Sequence, residues 1–491
     1  MTTRPLHLIA LLIFPAAFTQ VSGCARSVAT IGSARQAFAV GDLTTASTTL
    51  HEVASDSSQM KDAAELDLAV IELATGNPSA AERRLRALRD RFDTAPKTNP
   101  LSATAAVLTD DNAKAFHPAG YEQVMIRTML AVCSLAGDQV DAESYTLQAI
   151  NRQSKLAARA SQRGLNGGNI YQPIAIAPYL RGVLREATHH DYDDASRHYE
   201  LVSSVRPEFS AAATDLARSQ SGVHSARGNG VLYVISCVGR GPILQETVAP
   251  TTTATLAIAS SVLNSATNQR RDEDQEHTEE DDSNPAEATD DEIPALPNIA
   301  TVKIPEVIIP DSPVAHVGIM VNGTPAGRTE TLTDVGELAI RQNRAEMPWT
   351  IARAIVRRVT KEMAVASLGD AMGLEGTAGS LFHFATASAW SGIEKADTRC
   401  WGLLPREIQV LRTELTAGNH EIQIIPLGFA GDLLSNGVQE TVSIRDGKNH
   451  YLIVMAPTPQ MHVVQQTTTA PQTTTVQQSE RTTPLIFSLS D

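Results

Sequence analysis

Asp397, Arg399 and His420 are polar side chains that could make a reactive site, since a carboxylate and an imidazole make a usable acid–base pair. The same residues have a plainer reading. Asp397 and Arg399 suit a structural ion pair at the start of a strand, and His420 follows Ala417-Gly418-Asn419, a turn-forming string. Recognisable catalytic frames are missing around them: there is no nucleophile elbow, no zinc-binding helix motif, no cysteine pair at metal spacing and no phosphate loop. Gly164, Gly167 and Gly168 lack the preceding strand and the following Lys-Ser or Lys-Thr that phosphate cradling needs. No reaction, cofactor or metal is expected.

A different kind of chemistry is written at Val21-Ser22-Gly23-Cys24. Arg4 and His7 precede an apolar run from Leu8 to Phe18, and small residues stand before the cysteine, which is the layout of a secretory signal with its cleavage site. The four residues resemble the bacterial lipobox, in which the cysteine sulfur receives a diacylglycerol and becomes the first residue of the mature chain. Each buried CH₂ adds roughly 0.8 kcal/mol, so several acyl chains hold a protein on a membrane almost permanently. With Cys24 acylated, Cys133, Cys237 and Cys400 remain, an odd number at irregular spacing that makes neither a disulfide scaffold nor a metal site, although Cys237 and Cys400 could pair in an oxidising envelope.

From Ser33 to about Ala226 the periodicity is helical and a short phrase recurs: Gly41-Asp42 with Ala46, Gly76-Asn77 with Ala81, Gly137-Asp138 with Ala142, and His190-Asp191 with Ala195. Gly ends one helix in the left-handed conformation, Asp or Asn accepts the free N–H groups that begin the next, and the small Ala lets the two helices approach. His190 is expected in the glycine place because His visits positive φ more readily than bulkier residues. Ala81, Leu85, Leu88 and Phe92 on one helix, and Tyr192, Ala195, Tyr199 and Val202 on another, recur at helical spacing and give each a single apolar face. Four irregular tetratricopeptide-like hairpins follow from this pattern; an irregular helical bundle is the alternative.

After Gly230 the period changes. Val231 to Val238 is apolar on both faces and reads as a central strand. Val317, Ile319 and Val321 alternate up to Asn322-Gly323, a tight hairpin turn. Helices are expected from Asp334 to Arg344 and again from Pro348, the second with Ile351, Ile355, Val359 and Met363 on one face and Arg353, Arg357 and Lys361 on a solvated basic stripe. Strands return at Ile408 to Thr413 and His420 to Ile425, and Glu440 to Arg445 pairs with His450 to Met455 through Asp446-Gly447. The fold class is therefore α+β and multidomain: an N-terminal tetratricopeptide-like α-helical array, then an antiparallel β-sandwich-like domain with a helical insertion.

The expected divisions are a signal peptide (1–23), a lipid-anchored tether (24–32), the helical domain (33–226), a first β segment (230–249), an acidic linker (250–297), a β-rich domain (298–456) with its helical insertion (333–395), and a disordered Thr/Gln-rich tail (457–491). Residues 270–292 hold twelve Asp or Glu against two Arg, so most of the net charge of −15 sits in the linker. The folded parts are only mildly acidic and carry no basic face for a nucleic acid.

Three passages resemble a family of uncharacterised bacterial lipoproteins with an N-terminal tetratricopeptide-like half. They are Leu108-Thr109-Asp110-Asp111 leading to Tyr121-Glu122-Gln123-Val124-Met125; Tyr179-Leu180-Arg181-Gly182 through Ala195; and Ala396-Asp397-Thr398-Arg399-Cys400-Trp401 with Leu404-Pro405, through Gly418-Asn419-His420. The likeness spans about 33–455, and the acidic linker and Thr/Gln tail depart from it. The family has no assigned reaction. It implies an envelope protein anchored to the membrane, and Ala25 after Cys24 resembles an outer-membrane address facing the periplasm. The function expected is a protein-interaction scaffold or adaptor that presents its helical array to a protein or peptide partner. A regulator of cell-wall synthesis is the alternative, and an envelope hydrolase the weaker one.

Overall fold

The computed structural model describes residues 28–56, 59–95, 115–162, 164–250, 302–371 and 395–466, together with 253, 257, 260 and 261; side chains are described up to 358 in the segment ending at 371, apart from that of 356. The expected signal peptide, the tether through residue 27, nearly all of the acidic linker, the second part of the helical insertion (372–394) and the end of the tail (467–491) lie outside the described residues.

The chain is α+β, with its helices concentrated in the N-terminal half. Helix α1 covers 28–39, followed by α2 (Leu43–Ser55), α3 (Lys61–Ala74), α4 (Pro78–Thr94), α5 (Gly120–Ala136), α6 (Ala142–Gln162), the short α7 (Gly167–Ile170), α8 (Ile176–Glu186), α9 (Tyr192–Val205) and α10 (Ala211–Gln220). The first two joints form as their sequence demands. Gly41 has φ +84° and Gly76 φ +76°. At each, the glycine N–H and the next N–H donate to carbonyls of the last turn, and Asp42 or Asn77 then accepts from the backbone N–H three residues on. Ala46 and Ala81 are fully buried at the crossings.

The other two joints differ in detail. Gly137 is not left-handed (φ −96°); Gln139 takes that conformation, with φ 66°. Asp138 accepts from the Val140 N–H inside the turn rather than starting α6. In the fourth joint His189, not His190, adopts positive φ (61°). The Thr188 hydroxyl accepts the N–H groups of His190 and Asp191, so Asp191 is free to pair with Arg185 at 3.0 Å. Ala142 and Ala195 are buried as expected.

Eleven strands follow among the described residues. A five-stranded sheet has the order β11-β10-β1-β7-β6, a four-stranded sheet the order β5-β4-β8-β9, and β2 pairs β3. β1 (Asn229–Val238) is central and buried. It lies antiparallel to β7 (Glu407–Thr416) and parallel to β10 (Asn449–Ala456), so this sheet is mixed rather than wholly antiparallel. β2 (Ile243–Val248) and β3 (Lys303–Ile308) are antiparallel, which makes the acidic stretch the long connection of a two-stranded ribbon. β4 (His316–Val321) and β5 (Thr324–Arg328) form the expected hairpin, with Asn322 and Gly323 both at positive φ.

Beyond β5 the chain changes sheets. Buried Thr329 exchanges hydrogen bonds with the Val317 backbone and donates to Gln409 Oε1 at 2.6 Å, and β6 (Glu330–Asp334) then joins β7. Of the expected strand 440–445, residues 440–444 lie in β9 (Val438–Ile444), which pairs with β8 (Gly418–Leu427), whereas β10 belongs to the other sheet. The expected hairpin through Asp446-Gly447 is thus a crossing between sheets. The tail is also ordered farther than expected: β11 (His462–Gln465) adds to β10 as an edge strand.

One helix, α11 (Val335–Ala371), replaces the two expected, with Pro348 inside it. The proline removes one backbone donor, and Thr350 bonds the Glu346 carbonyl at 3.2 Å across the same turn. Ile351, Ala354 and Ile355 pack on Val302, Ile304 and Ala249. Of the expected basic stripe Arg353 is exposed, but Arg357 is buried, because the helix is covered on more than its apolar side.

Besides that small cluster under α11, two larger cores hold these layers among the described residues. Leu232, Val234, Leu452 and Val454 meet Val317, Ile319, Ile422 and Ile424 between the facing sheets. The opposite side chains of the same strands, including Tyr233, Ile235, Tyr451 and Ile453, join one continuous cluster with the helices. The helical array therefore lies directly on the five-stranded sheet.

Candidate functional site

The helices that begin each pair, α1, α3, α5 and α8, form the inner row against the β layer; α3 and α5 are buried on nearly every side. A segment running from Ala396 to Leu404 crosses this inner face, with Trp401 fully buried. Its backbone carries polar groups into an apolar seam, and buried polar groups need partners. Three lone charged residues on otherwise apolar helical faces provide them.

Arg35 on α1 donates from Nε to Asp67 Oδ2 at 2.7 Å and from Nη2 to the Cys400 carbonyl at 2.7 Å. Asp67 on α3 is fully buried and also accepts from the Leu403 N–H at 2.9 Å. Glu122 on α5 accepts from the Trp401 N–H and the Ala119 N–H, both at 2.7 Å. It therefore caps its own helix and holds the crossing segment at once. The Tyr121 N–H donates to Gln342 Oε1 on α11 at 2.8 Å, joining the same region to the long helix.

Burial dominates the electrostatics. Desolvation raises the Glu122 carboxyl to about 7, overcoming its two backbone donors and the nearby Arg35 charge. It also raises Asp67 above the usual carboxylate range against the pull of Arg35. Arg35 is raised despite its burial, because Asp67 and Cys400 face it. Desolvation pushes the Cys400 thiol to about 11, so it is an inert thiol at neutral pH rather than a nucleophile. Cys133, Cys237 and Cys400 are all free and buried, so Cys237 and Cys400 are not joined. Chemically this arrangement is a clamp.

A second buried network ties α8, α9 and α10 together. Glu186 accepts from Arg218 at 2.6 and 2.8 Å and from the Tyr199 hydroxyl at 2.7 Å; Asp215 accepts from Arg218 and from the Tyr179 hydroxyl at 3.0 Å. Tyr179 and Tyr199 pack with ring centroids 5.7 Å apart, and a Cβ at Gly182 would stand 2.8 Å from the Tyr199 ring. That explains the Tyr179-Leu180-Arg181-Gly182 string and its spacing to Ala195.

Asp397 and Arg399 form a two-pronged ion pair at 2.8 and 2.7 Å. His420 sits at the far end of the other sheet, its ring nitrogens 2.8 Å from the Thr416 carbonyl oxygen and 3.1 Å from Asn322 Nδ2. The structure thus separates the acid from the imidazole. Thr398 and Trp401 lie in the crossing segment, Pro405 just after it, and Gly418 at the head of β8 with φ 140°. The signal that betrays Asp67 is an acid on the apolar face of α3, flanked at i−4, i−3, i+3 and i+4 by Ala63, Ala64, Val70 and Ile71, and the signal for Glu122 is the one acid in the run from Tyr121 to Ala136. Cys24 lies outside the described residues.

The larger of the notable cavities, about 130 Å³, opens where α1 meets the ends of β1 and β10; it is lined by Arg35, Phe38, Arg240, Leu404 and Pro457 among others. Among the described residues there is no cluster of three or more metal-ligating side chains, and no helix is long and apolar enough to cross a membrane. No protein-family model, curated protein or solved structure matches the chain.

Proposed function

We propose that this protein is an envelope lipoprotein, held on the membrane through an acylated Cys24 and facing the periplasm from the outer membrane, that works as a non-catalytic interaction scaffold. On this reading the pairs α1/α2, α3/α4, α5/α6 and α8/α9 are four tetratricopeptide-like hairpins, and the two facing sheets are a β-sandwich that the array rests on. The observation that supports it most is the occupied inner face. In an open array of such hairpins the inner helices offer a groove to a peptide; here Arg35, Asp67 and Glu122 spend their hydrogen bonds on the chain's own residues 400–403. Partners must then meet the outer helices.

That outer row carries exposed apolar side chains, Val140 at 77 % and Leu147 at 39 % exposure, at the joint and on the outward face of α6. Crosslinking in intact envelopes, followed by purification of the full chain and of a Val140→Asp/Leu147→Asp variant, tests the reading. Loss of specific partners from the variant is the expected result, and identical partner lists would remove the outer face as the docking surface. Mass analysis of the N-terminal peptide from membranes tests the anchor.

A further inference from the structure

The loop from Gly428 to Gly437, between β8 and β9, exposes two large apolar side chains, Phe429 at 72 % and Leu433 at 70 %. Single exposed apolar residues are ordinary on soluble proteins. This pair is different in being held out by a built loop. Gly428 and Asp432 are joined backbone to backbone at 2.8 Å, the Leu434 N–H donates to the Pro426 carbonyl at 3.0 Å, and Leu433 bridges to Leu427. Gly437, at φ +74°, packs so closely on β8 that an added Cβ would stand 2.0 Å from the Ile424 carbonyl oxygen. With its stem pinned in this way, the tip keeps Phe429 and Leu433 turned outward.

The position of the loop gives it meaning. Leu427 pairs with His316 at the start of β4, and just before that strand Ser312 donates to the Pro457 carbonyl at 3.0 Å, beyond the end of β10. The loop therefore hangs from the end of the paired sheets where β1 and β10 finish. Gly32, Arg35 and Phe38 of α1 line the cavity at this same end, together with Gly239, Arg240 and Pro457. Val28, where the described chain begins, is one turn before Gly32 and four Cα–Cα steps from Cys24, with residues 25–27 between them. An extended chain reaches at most about 3.5 Å per residue, so a bilayer holding Cys24 lies within about 14 Å of the start of α1.

We propose that Phe429 and Leu433 form a second contact with the same lipid surface, dipping into the bilayer interface and fixing the orientation of the protein on it. This rests on the anchored reading above. Burying apolar side chains in the interface adds a weak, reversible attachment to the strong one made by acyl chains, and two such contacts stop a tethered body from tumbling. Arg240, which lies between α1 and this end and has no ion pair among the described residues, would then meet lipid phosphates.

The test uses the full-length chain, purified from membranes and bound to phosphatidylethanolamine/phosphatidylglycerol vesicles containing a lipid with a photoactivatable acyl chain. Crosslinked peptides and the N-terminal peptide are read by mass in the same sample. Adducts within 428–437 that disappear in the Phe429→Asp/Leu433→Asp variant are expected. If Cys24 is acylated and adducts fall only elsewhere, the second contact is refuted while the anchor stands. If Cys24 is unmodified, adducts on the loop still uphold the contact and only the anchor fails; none on the loop overturns both. Loop crosslinks to a protein in intact envelopes, without lipid adducts on vesicles, assign the surface to a protein partner and overturn the lipid contact.

Discussion

The Trp401 N–H donates to Glu122 Oε1 at 2.7 Å across 279 residues of sequence, and the other oxygen of the same carboxyl caps the helix on which Glu122 sits. One side chain thus caps the start of α5 and fixes the segment that fills the inner face of the array. The geometry makes helical half and β layer a single cooperative body, since the crossing segment cannot leave without exposing Asp67, Glu122 and the surrounding apolar seam. Changes at this seam should lower the stability of both halves together.

The Glu122 carboxyl is raised to about 7 in the folded chain from its ordinary 4.5, so its favourable contribution is complete below pH 4.5 and lost as the pH rises through 7. Order-of-magnitude linkage puts that loss at about 3 kcal/mol. His450 works in the opposite sense. Desolvation, with the nearby Arg445 charge, lowers its pKa from 6.5 to about 4, so its stability is lost as the pH falls from 6.5 toward 4. The two partly cancel in the native protein, and single variants separate them. In urea titrations between pH 4.5 and 7, Glu122→Gln should leave stability rising with pH, at a fixed cost of about 1 kcal/mol for one impaired backbone bond. His450→Gln keeps an acceptor for the Arg445 N–H, which donates to His450 at 2.9 Å, and should leave stability falling with pH instead.

The helix joints make a graded comparison. Gly76 is left-handed with open space around it, so Gly76→Ala should cost about 1 kcal/mol from backbone strain alone. Gly137 has φ −96° but ψ −124°, outside the allowed regions of L-residues, and an added Cβ would stand 3.3 Å from the Cys133 carbonyl oxygen, so Gly137→Ala should also cost about 1 kcal/mol. Gln139 carries the strain of the third joint, so Gln139→Gly should raise stability by about 0.5 kcal/mol. Thermal melts of the three variants check the order.

Gly41-Asp42 and Gly76-Asn77 were legible because the left-handed residue and the cap stand side by side in sequence, so local chemistry decides the joint. In the fourth joint the Thr188 hydroxyl accepts N–H groups within the joint itself, no side chain caps α9, and the left-handed residue is His189 rather than His190, a choice among neighbours of similar propensity. Asn322-Gly323 identified both its turn and its hairpin. Asp446-Gly447 identified only a turn, because turn chemistry does not say which sheet receives the next strand, and the parallel pairing of β10 with β1 is a contact made by tertiary packing. The clamp was hidden for the same reason: Glu122 and Cys400-Trp401 stand out separately, and nothing local shows that they meet.

Gly402 touches the clamp directly. A Cβ there would stand 2.2 Å from Arg35 Cζ, and a Cβ at Gly241 would stand 1.9 Å from the Leu404 carbonyl oxygen. Gly402→Ala must displace the guanidinium from Asp67, leaving a buried carboxylate without its partner. The expected loss is about 3 kcal/mol, several times that of Gly76→Ala. Fluorescence of the buried Trp401 and loss of helical circular dichroism should report one coincident transition in urea, because the seam belongs to both halves.

Asp397 and His420 supply the remaining comparison, between a shared reactive site and two separate structural roles. Asp397→Asn weakens the pair with Arg399; because Asp397 is about one-third exposed, at 32 %, the cost should be only about 1–2 kcal/mol. His420→Ala loses the contacts with Thr416 and Asn322 at the end of β8, worth about 1 kcal/mol. Their contacts have no residue in common, so the double variant should be additive to within about 0.5 kcal/mol in urea unfolding. Additive stability with the protein's cellular role retained is the outcome expected of two structural sites. A coupling above about 1 kcal/mol, or loss of that role in both folded single variants, would return the acid–base pair, and with it a hydrolase, to consideration.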